Sequence, residues 1–355
     1  MNIVITGTGS YIPGNKVTNE SFKDHSFYES GGKAFSETHE IIAQKFKSIT
    51  GISERRYVDK DQLMSDIALI AARIALNDAG TDPETLDGII LAHTCGNVPY
   101  GSTQADILPA IASRVKFELG IKNPSCVAFD ILFGCPGWVQ GLILARQSIL
   151  ADNTKRFLVI GAETLSRVID PHDRDSMIYA DGAAASVVEA IENSEKQGIV
   201  STASLTYSYE EFDYLRFDVS NKEGFAPETR YLKMYGKKIY EFALKYVPLA
   251  MKQCLDKSGL GIHKLKKIFL HQANEKMDKA IIREFYKLYN MDVPPVDVLP
   301  MNIHLLGNSS VATIPTLLDM VLKNEQGDHR LEKGDVILLA SVGAGMNINA
   351  ITYIV

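Results

Sequence analysis

Four segments of the chain carry residue types suited to chemistry, and they follow one another as Cys, His, Asn and a glycine turn. The first is AFDILFGCPGW, residues 128–138. An apolar run ends near Asp130, and Cys135 stands just before a helical pattern. A thiol at a helix N-terminus meets the positive end of the dipole and free backbone N–H groups, so its position predicts a lowered pKa and a nucleophile. Gly134 and Gly137 would keep side chains out of a substrate's path to the sulfur. The second segment is KKIFLHQAN, 266–274. Here a strand delivers His271 at its C-terminal end, where α/β sheets place their sites. The third, LGNSSVATIP at 306–315, sets Asn308 between a glycine and a helix start, a position that also suits a plain N-cap. The fourth, SVGAGMN at 341–347, is a glycine turn after a buried strand, which can present N–H groups to an oxyanion.

The elements that must position these residues show in the hydrophobic spacing. It predicts strands over 2–6, 88–94, 125–130 and 157–161, with helices over 66–80, 108–120 and 136–150. The second half predicts a long amphipathic helix over 237–258, a strand over 267–270 and a helix over 277–288. A helix over 309–323 and a strand over 335–340 follow. The succession strand, helix, loop, helix, strand therefore occurs twice. Cys135 opens the second helix of one copy and Asn308 that of the other. This is the rhythm of an α/β fold built by duplication, with halves at 1–190 and 191–355. Two polar, aromatic stretches, 24–40 and 207–230, fit neither copy. They read as insertions that cap a site or meet a partner, or as ordinary surface loops.

Composition narrows the functional classes. The 355 residues allow two domains or one large one. Apolar residues make up 46% and charged residues 23%, which argues against disorder and coiled coil. With 37 basic and 43 acidic residues the net charge is −6, so nucleic acid is not expected as a partner. The longest uncharged apolar run, about 131–145, falls short of the ~18–20 residues that a membrane span needs. The first residues, MNIVITGTGSYIPG, lack a basic start and a long apolar stretch, so no signal peptide is read. Cys95, Cys126, Cys135 and Cys254 form no CxxC pair, which excludes a zinc knuckle, and reduced thiols fit a cytoplasmic protein. Nor is the early GTGSYIPG a dinucleotide loop. Its glycines fall at 7, 9 and 14, and Pro13 stands where a helix should begin.

Taken together the segments resemble the β-ketoacyl-[acyl-carrier-protein] synthase III family of the thiolase superfamily. The likeness spans nearly the whole chain. It includes TGISERR (50–56), DPHDR (170–174), YADGAAASVVE (179–189) and KMYGKKIYEFA (233–243) beside the four chemical segments. The resemblance implies a five-layer αβαβα fold from two similar halves, and a homodimer. It implies that Cys135 accepts an acyl group from a thioester and that the backbone N–H groups of Cys135 and Ala344 hold the oxyanion. Malonyl-carrier protein then loses CO₂, and its enolate attacks the acyl-enzyme under hydrogen bonds from His271 and Asn308. No metal or redox cofactor is implied, since CoA or phosphopantetheine thioesters serve as substrates. Arg174 matches an adenine-side residue of the CoA site. The tryptophan often found shortly before TGI is absent from AQKFKSITGI, which leaves CoA and carrier protein both open as the first donor. Lys276 and Lys279, just after HQAN, stand where the family contacts an acidic carrier protein.

Cys95, the segment 96–109 and Phe133 are expected to line or cover the acyl pocket. The length of that segment, and of the stretch between HQAN and Asn308, points to an alternative within the same chemistry. It is a specialised condensing enzyme taking longer or β-oxo acyl groups, as in alkylresorcinol or polyene biosynthesis. Two readings of other classes are weaker: a non-catalytic partner subunit, which would be expected to lack part of the Cys, His and Asn set, and a thioester hydrolase, which would have less need of His271 and Asn308.

Overall fold

The computed structural model describes residues 1–152, 154–192 and 195–355. Two mixed sheets form its centre. The first holds β1 (Asn2–Tyr11), β4 (Gly88–His93), β5 (Val127–Leu132), β6 (Arg156–Thr164) and β7 (Asp181–Ile191) in the order β1-β7-β6-β4-β5. The second holds β8 (Gly198–Thr206), β11 (Leu265–Leu270), β12 (Val336–Gly343) and β13 (Asn347–Ile354) in the order β11-β12-β13-β8. Two small hairpin-like pairs, β2 (Asn15–Thr18) with β3 (Glu54–Tyr57) and β9 (Leu215–Asp218) with β10 (Tyr231–Met234), lie outside them.

The two sheets share one topology. In the first, β4 runs parallel to β6, while β6–β7 and β7–β1 are antiparallel. In the second, β11 runs parallel to β12, while β12–β13 and β13–β8 are antiparallel. Strand β5 alone has no counterpart, and it forms the outer edge of the first sheet.

Helices complete five layers. On the outer face of the first sheet lie α2 (Met64–Asp78) and α3 (Ile111–Glu118). Between the sheets lie α4 (Gly137–Asp152) and α8 (Thr313–Leu322), packed into one apolar cluster with strands of both sheets. On the outer face of the second sheet lie α5 (Gly236–Ser258) and α6 (Glu275–Lys287). The chain is thus a thiolase-like αβαβα protein. α1 (His39–Thr50) and the short α7 (Ile303–Leu306) cover the end at which β4, β6, β11 and β12 finish, with Phe46 and Ile303 in a fourth apolar cluster.

The helix α4 shows why burial overrides amphipathicity. Packed between two sheets, it buries Trp138, Val139, Leu142, Ile143 and Ile149 around its circumference, whereas the outer helix α6 keeps a single apolar stripe. The early glycines have a packing role. A Cβ on Gly7 would stand 2.4 Å from Ala79 N, and one on Gly9 2.5 Å from Ala75 N, so β1 admits α2 only without side chains there. The predicted helix over 108–120 is shorter in the structure, because Asp130 accepts the N–H groups of Ile111 and Ala112 and starts α3 there. β7, β8 and β13 had no strand assigned to them from the sequence; β7 and β13 are buried almost throughout and so show little alternation.

Candidate active site

The ends of β5, β11 and β12 converge on one site. Cys135 lies in the tight link between β5 and α4, where Gly134 adopts φ +65°. The glycine turn after β12 presses on it. A Cβ on Gly343 would stand 3.0 Å from both Cβ and N of Cys135, and one on Gly134 3.5 Å from Ala344 N. The backbone N–H groups of Cys135 and Ala344 are thereby neighbours. Gly137 has a different use from the one its position suggests. A Cβ on it would stand 2.7 Å from Ala92 Cβ and 3.3 Å from Val311 Cγ1, so its lack of a side chain serves packing and not substrate approach.

The Cys135 thiol does not have the lowered pKa that its place before a helix predicts. The thiol of Cys135 is surrounded by packed atoms, and burial pushes it up to about 11, against a hydrogen bond from Ser310 that pulls it down. Low dielectric disfavours the thiolate more than one helix end favours it. In the resting protein Cys135 is a thiol. Cys95, Cys126 and Cys254 are pushed up as well, in each case first by burial.

His271 follows β11, and its backbone N–H donates to Ala340 O at 2.9 Å, which fixes the ring's origin on the sheet. The imidazole is buried, and desolvation lowers its pKa to about 3, so it is neutral at physiological pH. Nδ1 lies 2.7 Å from Thr313 Oγ1, and that hydroxyl lies 3.0 Å from Ser310 O. The threonine has one proton for two acceptors. Directed at Ser310 O, it receives Nδ1–H and leaves Nε2 with a lone pair. Directed at Nδ1, it leaves Nε2–H as a donor. Rotation of one hydroxyl therefore sets which role His271 can play.

Asn308 is buried, and its backbone is locked on both sides: its N–H donates to Ile178 O (2.9 Å), and its C=O accepts from Ala180 N–H (2.8 Å). Its side-chain Oδ1 accepts the Ser310 N–H at 2.7 Å, an Asx-type turn. With Oδ1 occupied, Nδ2 is the end left to donate.

Ser310 ties the three together. Its hydroxyl donates to Cys135 Sγ at 3.4 Å, its N–H holds Asn308, and its C=O meets the threonine that orients His271. Its backbone is held at φ +51°, a conformation that costs an L-residue energy and persists only where packing enforces it. The residue was invisible in the sequence beyond its place in GNSSVATIP. The signal available was a second serine two positions after the asparagine.

A cavity of about 460 Å³ leads to this cluster. Asn308, Ala273 and Asn274 line it together with Phe46, Ile178, Met234 and Tyr240, and Arg174 belongs to the same wall. The Arg174 guanidinium pairs with Asp175 at 2.8 Å and stacks over Phe35 at 5.4 Å. Arg174 also borders a larger polar cavity of about 790 Å³, walled by Tyr28–Gly32 and Phe35 of the first insertion and by Arg216 and Asp218–Asn221 of the second. The two insertions thus meet at one mouth, joined by Asn221 Nδ2 donating to Tyr28 O at 2.9 Å. Lys276 and Lys279 are exposed on α6, and Lys279 is already paired with Glu275 at 2.5 Å.

Profiles of 3-oxoacyl-[acyl-carrier-protein (ACP)] synthase III and of its C-terminal region match residues 129–208 and 255–354. Along 343 residues the chain is 34% identical to β-ketoacyl-[acyl-carrier-protein] synthase III 1 of Vibrio vulnificus (strain YJ016), covering 96% of each. The chain belongs to the synthase III family. A second relative, β-ketoacyl-[acyl-carrier-protein] synthase III of Caldanaerobacter subterraneus subsp. tengcongensis, is 32% identical and covers 96% of this chain and 94% of its own. The solved 3-oxoacyl-(acyl carrier protein) synthase III of Pseudomonas aeruginosa PAO1 superposes with a TM-score of 0.81 at 26% identity, covering 100% of this chain and 98% of the other. Membership makes this synthase III chain an acyltransferase of the condensing type, which joins an acyl thioester to a malonyl unit with loss of CO₂.

Proposed function

We propose that this synthase III carries its acyl group on Cys135 and condenses it with malonyl-[acyl-carrier-protein] to give a 3-oxoacyl thioester. The observation that carries the assignment is Asn308. Its Oδ1 is engaged by Ser310, and its Nδ2 is left to donate at the inner end of the cavity that runs out to Arg174. In the first half-reaction the Cys135 sulfur attacks the thioester carbonyl, and the adjacent N–H groups of Cys135 and Ala344 receive the oxyanion. In the second, malonyl decarboxylation leaves an enolate whose oxygen takes hydrogen bonds from Asn308 Nδ2 and from His271 in its Nε2–H tautomer. Burial keeps His271 neutral, so it donates without delivering a full charge.

Thioesters are the only co-reactants in this scheme, with the phosphopantetheine arm in the 460 Å³ cavity. Arg174, half-buried at the mouth, would meet the nucleotide of a CoA donor, and Lys276, exposed on α6, an acidic carrier helix. The specialised alternative rests on the length of 96–109 and of the stretch between HQAN and Asn308, and no residue of 96–109 lines the cavity that ends at Asn308. We further infer halves divided near residue 190, since all strands of the first large sheet lie within 2–191 and those of the second within 198–354. A homodimer through β5 is supported by an edge strand that leaves Val127 60% and Leu132 72% exposed. Four free cysteines suit a reducing cytoplasm.

The test is intact-protein mass spectrometry with acetyl to dodecanoyl thioesters on CoA and on carrier protein, followed by product analysis with malonyl-carrier protein. A mass gain that vanishes in Cys135→Ala, and a 3-oxoacyl product, are expected. Loading without condensation would refute the reading.

A further inference from the structure

Lys233 of β10 is a buried ammonium, and nothing in the condensation scheme uses it. A lysine is seldom buried unless its charge is paired. Its three donors each have an acceptor: Asp170 Oδ2 at 2.5 Å, Asn221 Oδ1 at 2.8 Å and Asp173 Oδ2 at 2.9 Å. Those acceptors belong to two segments that meet at the cavity mouth, the DPHDR loop and the second insertion. Asp170 fastens the insertion again, since it also accepts the Ser220 hydroxyl at 2.9 Å and the Asn221 N–H at 2.7 Å. Asn221 Nδ2 reaches on to Tyr28 O of the first insertion, and the Tyr28 N–H donates to His172 O at 2.9 Å. The loop and both insertions are thus knotted at one cation. From that cation a chain of bonds runs to Arg174. Asp173 gives one oxygen to Lys233 and the other to the Asp175 N–H at 3.0 Å, which caps the 3-10 turn Arg174–Ile178. Asp175 Oδ1 accepts in turn from Arg174 Nη2 at 2.8 Å and from Nε at 3.2 Å. The guanidinium is held along its edge by Asp175 and stacks over Phe35, while the side chain stays 37% exposed.

We propose that Lys233 is a positioning residue for the acyl donor: through Asp173 and Asp175 it fixes the Arg174 guanidinium where the nucleotide of a CoA thioester arrives. The proposal rests on the reading that Arg174 meets that nucleotide. An untethered arginine samples many rotamers, and a ligand that binds it must order it. A guanidinium already held in one geometry spares the ligand that cost. The hold is firm because the ammonium and Asp170 lie out of solvent, where charged hydrogen bonds are strengthened. Without the ammonium, Asp170 and Asp173 are two carboxylates that have lost their shared cation. They repel, and the turn that carries Arg174 is released. A carrier-bound thioester has the same pantetheine arm but no nucleotide, so it is indifferent to where Arg174 stands. Lys233 thereby selects between donors without touching either.

The experiment follows single-turnover acylation against donor concentration, with the acyl group that wild type loads fastest presented on CoA and on carrier protein. Wild type, Lys233→Met, Arg174→Ala and the double variant are compared, with thermal melts to report the fold. Lys233→Met should raise the half-saturating concentration of acyl-CoA about 10–100-fold, the scale of a lost hydrogen bond to a charged group. Its maximal rate, and its half-saturation by the carrier-bound donor, should stay at the wild-type values. The double variant should be no worse than Arg174→Ala alone, because Lys233 acts through that arginine. Asp173→Ala cuts the link while leaving Lys233 on Asp170 and Asn221, so it should reproduce the shift even if Lys233→Met does not fold. Wild-type half-saturation by acyl-CoA in folded Lys233→Met or Asp173→Ala, with Arg174→Ala impaired, would overturn the inference and keep the role of Arg174. Additive losses in the double variant, or equal losses with both donors, would overturn it too and reduce Lys233 to a support of the fold. Wild-type values in Arg174→Ala, or no loading of wild type from CoA, would remove the reading of Arg174 and this inference with it.

Discussion

Replacing Asn308 should separate the two half-reactions. Asn308→Ala deletes the Nδ2 donor and also the Oδ1 acceptor that holds the Ser310 N–H at 2.7 Å. The second loss leaves a buried N–H without a partner, which costs about 1–3 kcal/mol of stability. The first removes a preorganised donor from the enolate, a loss of about 10²–10³ in rate, or roughly 3–4 kcal/mol of transition-state stabilisation. Asn308→Asp keeps an acceptor for the Ser310 N–H and deletes the amide donor, at the cost of a carboxyl in a buried site, so it too should lose condensation. Each variant is incubated with an acyl thioester, and the acyl-Cys135 adduct is weighed intact. Malonyl-carrier protein is then added and the 3-oxoacyl product quantified, with thermal melts to report the fold. The acyl-enzyme should accumulate in both variants and fail to turn over. Failure of both folded variants to acylate would show that Asn308 serves the first step, and the division of roles would be wrong.

The other expectations are more local. Gly343→Ala places a methyl 2.6 Å from Pro136 Cδ and 3.0 Å from Cys135 N, so it should cost about 1–3 kcal/mol and slow acylation, read by melting and by adduct formation. Thr313→Val removes the partner of His271 Nδ1 at 2.7 Å and should slow condensation about 10-fold while altering the tautomer seen by ¹⁵N NMR; an unchanged tautomer would contradict the hydroxyl's role. Arg174→Ala should weaken use of CoA-bound donors and leave carrier-bound donors unaffected, with little change in stability because its pair with Asp175 is partly exposed. For His271 the folded pKa, about 3, lies below the ordinary value, so the unfolded chain binds the extra proton between about pH 3 and 6.5. Its contribution is therefore complete above about 6.5 and declines as pH falls toward 3, by ~1.4 kcal/mol per pH unit. Acid unfolding of His271→Asn should show a shallower decline across that window.

The chemical segments were legible because each sits at a boundary that local patterning marks. Cys135 precedes α4, His271 follows β11, and the glycine turn follows β12. Asn308 is offset from its helix by the 3-10 turn Ser310–Ala312, and that small irregularity is what carries Ser310 to the thiol. The duplicated rhythm was visible in the alternation of strands and helices, while the matching order of β1-β7-β6-β4 and β8-β13-β12-β11 was not. Two of the shared strands, β7 and β13, are buried almost throughout and give no alternating signal.

By itself the sequence determined the α/β class and the family and pointed to Cys135, His271 and Asn308 as the candidate set, since these readings reside in residue types and short-range spacing. Tertiary structure decided the state of those residues. Burial, not the helix end, sets the Cys135 thiol at about 11, and it keeps His271 neutral. Only packing brings the Ser310 hydroxyl to Cys135 Sγ, 175 residues apart in the chain. Desolvation and contact depend on every atom around a group, so a local stretch of sequence does not contain them.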